Sequence, residues 1–187
     1  MSAYTKEFTE AVARSKKFGL TVPEHKIEPS KAFLDAKAHA EFPYVVRDGL
    51  GDLDLPDVVG QCLAVHYRLA PVISDWLGCD VLYTIGWIDD MTDSGMFRFD
   101  DSFVADKLRR GHGGGTVNIH AWLTLPSMEI IDVALSTSMG HLQKRPEMLG
   151  CVIASHPDTL KGMAYKPMLV GDDFLSKAGL LAFVPFH

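Results

Sequence analysis

The sequence predicts one α+β domain, in which helices pack on an antiparallel sheet. Two observations indicate this class: residues 62–77 form a long apolar segment at helical spacing, and residues 116–135 hold two β-rich segments joined by a short turn. The length of 187 residues and the hydrophobic share of 47% are typical of a single packed core. We expect one domain over residues 1–187, with a core at 58–135, a helical N-terminal part at 1–57 and a C-terminal elaboration at 136–187.

The N-terminal part is expected to contain two helices and two irregular segments. Residues 5–18 alternate apolar and charged positions at helical spacing, and Gly19 is a stop signal after them. Residues 22–29 contain two prolines and mixed charge, which favours a connection. Ser30 is a candidate N-cap for a second helix that runs to about Ala38. Residues 48–57 are rich in Gly, Asp and Pro and predict a loop.

The core begins with the strongest helix of the sequence. Cys62 stands at its start, and Gly78 occupies the position after its C-terminus, where glycine is favoured. Pro71 lies inside the segment and is expected to kink or divide the helix. Residues 79–88 are rich in β-branched and aromatic side chains and predict a strand.

The rest of the chain is expected to alternate between strands and short helices. A helix is expected at 102–110, followed by a flexible glycine-rich stretch at 111–115. Strands at 116–125 and 128–135, joined by a turn at Pro126 and Ser127, predict an antiparallel hairpin. Further on we expect a helical segment to residue 149, a strand at 151–154 and an apolar end segment at 180–186.

Charge and composition exclude several classes of partner. The net charge is −6, with 24 acidic and 18 basic residues, which disfavours binding to a nucleic-acid backbone. No segment has the signature of a secretory signal or the roughly 20 apolar residues of a membrane span. Three cysteines do not form a disulfide framework. We therefore expect a cytoplasmic protein, with export by signal-independent machinery left open.

Cysteine chemistry is the function that the residue pattern favours. A helix start stabilises a thiolate, and a nucleophile needs a base that a third polar group orients. Cys62 opens the helix, while His120 and Asp132 lie on the two strands of the expected hairpin. A loop centred on Pro126 would place His120 opposite Asp132, and a strict two-residue turn would place it opposite Val133.

The three segments together resemble the transglutaminase-like branch of the papain-fold cysteine enzymes. The motifs that carry this resemblance are Gly60-Gln61-Cys62 before a helix, His120-Ala121-Trp122 on a strand and Ile130-Ile131-Asp132 on the next strand. The resemblance implies a papain-like core, with the cysteine helix packed on an antiparallel sheet that bears the histidine and the aspartate. It also implies that Cys62 is the nucleophile, His120 the base and Asp132 the residue that orients the base.

Other side chains have two interpretations each. Gln61 is a candidate oxyanion donor or a simple cap, and Trp122 is a candidate substrate wall or, more in keeping with its type, a core residue. His66, one helical turn after Cys62, is a competing base or a structural histidine. Cys79 and Cys151 are expected to pack in the core. The scattered histidines show no metal-binding motif, so neither a metal nor a cofactor is expected.

The expected function is therefore that of a peptidase, amidase, deamidase or acyltransferase that forms a thioester on Cys62. Its partner would be a peptide, a protein or a small amide or ester. One alternative is a non-catalytic module that keeps the fold and binds a peptide in its cleft. Another is an exported effector toxin with the same cysteine, histidine and aspartate chemistry, which gene neighbourhood or toxicity on expression would distinguish.

Overall fold

The computed structural model describes residues 2–181 and has an α+β architecture, as the sequence predicts. The strands within these residues are β1 (Leu82–Asp89), β2 (His120–Thr124), β3 (Ile130–Asp132), β4 (Ile153–Ser155) and β5 (Ala164–Val170). They form one antiparallel five-stranded sheet in the order β4-β3-β2-β1-β5. The α-helices of the same residues are α1 (Ala3–Lys17), α2 (Ala36–Leu50), α3 (Leu55–Val58), α4 (Cys62–Leu77), α5 (Asp101–Arg110), α6 (Leu135–Gln143) and α7 (Asp173–Lys177).

The described residues form two compact units that are interleaved along the chain. The first unit comprises residues 2–24, 84–121 and 157–181, and the second comprises residues 25–83 and 122–156. The chain passes from one unit to the other inside β1 and again inside β2, because the boundaries fall after residues 83 and 121.

In the first unit, α1 packs against β5. Phe8 is fully buried on the inner face of α1, and the buried Ser15 hydroxyl accepts a hydrogen bond of 2.8 Å from the Val170 backbone N–H. The two oxygens of Asp158 accept hydrogen bonds from the N–H groups of Ala3 and Tyr4, which would otherwise lack partners at a helix start. Residues from opposite ends of the sequence thus stabilise one another.

In the second unit, α2 packs against α4, while β3 pairs with β2 and β4. The rings of Phe42 and Trp76 lie 6.1 Å apart between the two helices. Gly49 lies so close to Val72 that a β-carbon added to the glycine would come within 2.4 Å of the valine. The absence of a side chain at Gly49 therefore permits the close packing of these two helices.

The helix predictions are confirmed in their main features and corrected at their ends. The helices expected at 5–18, 62–77 and 102–110 are α1, α4 and α5. The second helix was predicted to begin after Ser30, which is wrong: α2 begins at Ala36, because the Asp35 carboxylate accepts the Ala38 N–H at 2.8 Å and caps it. Part of the expected 48–57 loop is helical, since α2 runs to Leu50 and α3 follows it.

Pro71 does not divide its helix. One continuous α-helix runs from Cys62 to Leu77 with Pro71 inside it, and Gly78 ends it in a left-handed conformation with φ of 59°. The proline is exposed on this helix. The expected apolar end segment extends to 186, and residues 182–187 lie outside the described part of the chain.

The hairpin prediction is confirmed, but both predicted registers are wrong. Leu123 pairs with Ile131, and Thr124 pairs with Ile130. In this register Trp122 lies opposite Asp132, and His120 lies opposite neither Asp132 nor Val133. The turn is centred on Ser127, with the Leu125 carbonyl accepting the Met128 N–H. A three-residue turn shifts the register relative to both alternatives that the sequence left open.

Candidate functional site

Cys62 is the first residue of α4, as the sequence predicts. Gly60 precedes it with φ of 71°, a left-handed backbone conformation that glycine adopts without strain. The Gly60 N–H donates a 3.2 Å hydrogen bond to the Ser138 hydroxyl on α6, which holds the turn before α4 to that helix. Cys62 is nearly buried, with 9% of its surface exposed to solvent. The backbone N–H groups of a first helical turn have no acceptor inside the helix, so they favour negative charge beside it.

His66 connects the start of α4 to the turn after β3. Its Nδ1 lies 2.8 Å from the Cys62 carbonyl oxygen, and its Nε2 accepts a 3.0 Å hydrogen bond from the Val133 backbone N–H. Because Nε2 accepts here, the neutral ring carries its proton on Nδ1 and donates it to the carbonyl. The ring is fully buried, and both of its nitrogens have backbone partners.

Asp132 is the last residue of β3 and is also fully buried. Its Oδ1 accepts hydrogen bonds from the Ala134 N–H at 2.9 Å and the Leu135 N–H at 3.0 Å. The same oxygen lies 3.5 Å from His66 Nε2. The carboxylate thereby ends the strand and starts α6, which explains why β3 is shorter than the predicted 128–135.

His120 is the first residue of β2, and only 2% of its surface is exposed. The Phe97 ring stacks on its imidazole, with ring centroids 5.1 Å apart and an angle of 21° between the planes. Phe97 has φ of 62°, an unfavourable conformation for an aromatic residue. Met96, the residue before Phe97, makes two backbone hydrogen bonds with Ile88 that hold this strained segment in place. The fold therefore fixes the Phe97 ring against one face of the imidazole.

The remaining predicted residues fall into different environments. Gln61 is exposed at the N-cap position of α4, and its side chain makes no capping hydrogen bond, whereas Trp122 is fully buried in the core. Cys79 is half-buried, and burial raises the pKa of its thiol to about 11. The prediction of core packing is wrong for Cys151, which is exposed and lies outside the strand, since β4 begins at Ile153.

His66 is a hydrogen-bonded helix histidine, which is one of the interpretations that the sequence favours over a competing base. The sequence interpretation missed its partners, which are backbone groups of Cys62 and Val133. The sequence does contain a signal: His66 lies four residues after Cys62 in an otherwise apolar helical segment, and a buried polar group needs partners. The structure thus forms a buried cluster in which the His66 ring hydrogen-bonds the backbones of Cys62 and Val133, next to Asp132.

An apolar cavity of about 250 Å³ adjoins this cluster within the second unit. Its walls come from α2, α3, the start of α6 and the segment before β4. The walls include Phe42, Val46, Leu53, Val58, Val133 and Val152.

Residues 2–181 lack two further kinds of feature. Within residues 2–181, no group of three or more His, Cys, Asp or Glu side chains is arranged to hold a metal ion. In the same part of the chain, no helix combines the length and the apolar character needed to cross a bilayer. No protein-family model, curated protein or solved structure matches the chain.

Proposed function

We propose that the protein is a cysteine-dependent acyl-group enzyme with Cys62 as its nucleophile. The observation that carries this proposal is the buried hydrogen-bonded connection between the first turn of α4 and the residue after Asp132. His66 makes it, with Nδ1 2.8 Å from the Cys62 carbonyl oxygen and Nε2 accepting the Val133 N–H at 3.0 Å. A cysteine at a helix start lies where unpaired backbone N–H groups favour negative charge, which suits thiolate chemistry.

His120, rather than His66, is the proposed general base. His66 donates from Nδ1 and accepts at Nε2 in backbone hydrogen bonds, so taking a proton from a thiol would require it to give up a structural contact. His120 has its imidazole fixed by the stacked Phe97. Asp132 is proposed as the positioning group for the base, in line with the resemblance to transglutaminase-like enzymes.

The proposed reaction proceeds through a thioester. His120 takes the proton from the Cys62 thiol, and the sulfur attacks the carbonyl carbon of an amide or ester. The carbon–nitrogen or carbon–oxygen bond then breaks, and the leaving amine or alcohol takes the proton from His120. Water or an amine attacks the thioester and releases the thiol. The exposed Gln61 side chain and the Cys62 backbone N–H are the proposed donors to the oxyanion.

Thiol alkylation tests this proposal without knowledge of the substrate. The rate of iodoacetamide modification is measured from pH 5 to 11 at each cysteine by mass spectrometry, for wild type, His120→Ala and the control His39→Ala, which removes an exposed histidine. We expect Cys62 to react below about pH 7, where ordinary thiols are protonated, and to lose this reactivity only in His120→Ala. Cys79 is an internal reference: its raised pKa of about 11 keeps it protonated at neutral pH, so its rate should climb throughout this range.

The same measurement addresses a second candidate, a non-catalytic module that binds a peptide. The burial of all but 9% of Cys62 and the nearby apolar cavity support this alternative. An inert Cys62, or three cysteines that react according to exposure alone, would contradict the enzyme proposal and favour the binding module. In that case the exposed Cys151 should react first.

A further inference from the structure

The apolar cavity shares its wall with the segments that hold the candidate site. Val133 lines the cavity through its side chain, and its backbone N–H binds His66 Nε2 at 3.0 Å. Val58 lines the cavity as well, and its carbonyl accepts the Gln61 N–H at 3.0 Å in the turn that leads to Cys62. The backbone segments that position the cysteine and the carboxylate therefore also form the cavity.

The cavity has the size of a substituent rather than of a whole cofactor. Its volume of about 250 Å³ exceeds the roughly 150 Å³ that accommodates benzene in a protein interior. Leu55 and Val152 line it and are 41% and 39% exposed, so the cavity opens to solvent between apolar side chains. A medium-length alkyl chain or a substituted phenyl ring fits these dimensions.

Charge at the cavity selects against anions. Asp54 is the charged residue in its lining, and the neighbouring Asp57 carboxylate is held in place by the Asp54 backbone N–H at 2.9 Å. A ligand with a free carboxylate would be repelled by Asp54, the acidic residue of the lining. A fatty acid is thus disfavoured, and a neutral amide or ester that buries its hydrocarbon part is favoured.

We infer that this cavity binds the acyl portion of the substrate, and that this portion is a neutral aliphatic or aromatic group larger than acetyl. The inference rests on the proposed function, because it assigns the substrate class of the same site. Burying one methylene group contributes about 0.8 kcal/mol, or about fourfold in specificity. The rate of acylation should therefore rise about fourfold per added methylene until the cavity is full.

The experiment compares p-nitrophenyl acetate, butyrate, hexanoate and octanoate. For each ester, kcat/KM is measured, and the thioester on Cys62 is identified by mass spectrometry. Val152→Trp places a large ring at the cavity mouth and should lower kcat/KM for octanoate at least tenfold more than kcat/KM for acetate. Leu142→Trp is the matched control, since Leu142 is 71% exposed on α6 and does not line the cavity.

A binding measurement tests the cavity assignment independently of thioester formation. Octanamide is titrated into Cys62→Ala, or Cys62→Ser should the alanine variant not fold, by calorimetry, with and without Val152→Trp. We expect binding that Val152→Trp abolishes. A Cys62 thioester that forms equally fast from acetate and octanoate, with no octanamide binding, would overturn the inference and leave the proposed function intact. Octanamide binding without any thioester would overturn the proposed function, and with it the assignment of an acyl site.

Discussion

At the residue scale, Asp132 has a structural role that can be separated from any catalytic one. Its Oδ1 accepts hydrogen bonds from the Ala134 and Leu135 N–H groups at the start of α6. Asp132→Ala leaves these buried donors without that acceptor, and we expect it to lower the free energy of unfolding by about 2–4 kcal/mol. Asp132→Asn keeps an oxygen at the same position and should lose less than half as much. Urea unfolding followed by circular dichroism measures both.

Asp52→Ala is the control for the Asp132 variants, since Asp52 is exposed. It should change the free energy of unfolding by less than about 0.5 kcal/mol. Equal losses in Asp132→Asn and Asp132→Ala would contradict the capping role and show that the negative charge itself stabilises the fold.

The sequence identifies candidate residues better than it identifies their contacts. Cys62 was placed at a helix start because a glycine precedes an apolar run, and that placement is confirmed. The role of His66 could not be derived in the same way, because its second partner is the Val133 N–H, 67 residues further along the chain. The environment of Cys151 was misjudged because a position after a glycine at the start of a predicted strand does not determine burial, and β4 begins only at Ile153.

At the element scale, the packing of α2 on α4 depends on a glycine. A β-carbon at Gly49 would approach Val72 Cγ1 to 2.4 Å and Cγ2 to 2.7 Å, which is too close for a real contact. We expect Gly49→Ala to lower the free energy of unfolding by about 1–3 kcal/mol, although alanine is the better helix former by about 1 kcal/mol. The loss is measured by urea unfolding.

A double-mutant cycle identifies the cause of that loss. Val72→Ala removes the methyl groups that the new β-carbon would meet, so the double variant should recover at least half of the loss seen in Gly49→Ala. Val72→Ala alone should cost about 1 kcal/mol, because its side chain is half-buried. Strictly additive losses would mean that Gly49 does not limit the distance between α2 and α4.

Element ends and strand register were the least predictable local features. Asp35 and Ser30 are both good N-caps, and only the path of the chain after residue 29 decides between them. The hairpin register depends on the number of residues in the turn, and the pattern Leu125-Pro126-Ser127-Met128 is compatible with more than one turn length. In the structure, Glu129 Oε2 accepts hydrogen bonds from Ser127 and from the distant Phe33, a tertiary interaction that favours the observed turn.

At the scale of the whole molecule, the fold joins segments that are far apart in the sequence. Asp158 caps α1, and Ser15 binds the backbone of Val170, over separations of about 155 residues. Hydrophobic periodicity predicts that α1 has a buried face, but it does not say which strand covers that face. The division into two interleaved units is likewise a consequence of tertiary contacts, which is why the predicted core at 58–135 combines residues from both.

Phe8→Ala tests whether the two units unfold together. Phe8 is fully buried on α1, and its truncation should lower the free energy of unfolding by about 3–5 kcal/mol. Because β1 and β2 each contribute residues to both units, we expect a single cooperative transition. Native-state hydrogen exchange should then show a similar loss of protection in the core of α4 and in β5.

Tyr44→Ala, at a site that is 60% exposed, should leave protection unchanged. A loss confined to α1 and β5 would contradict cooperative unfolding.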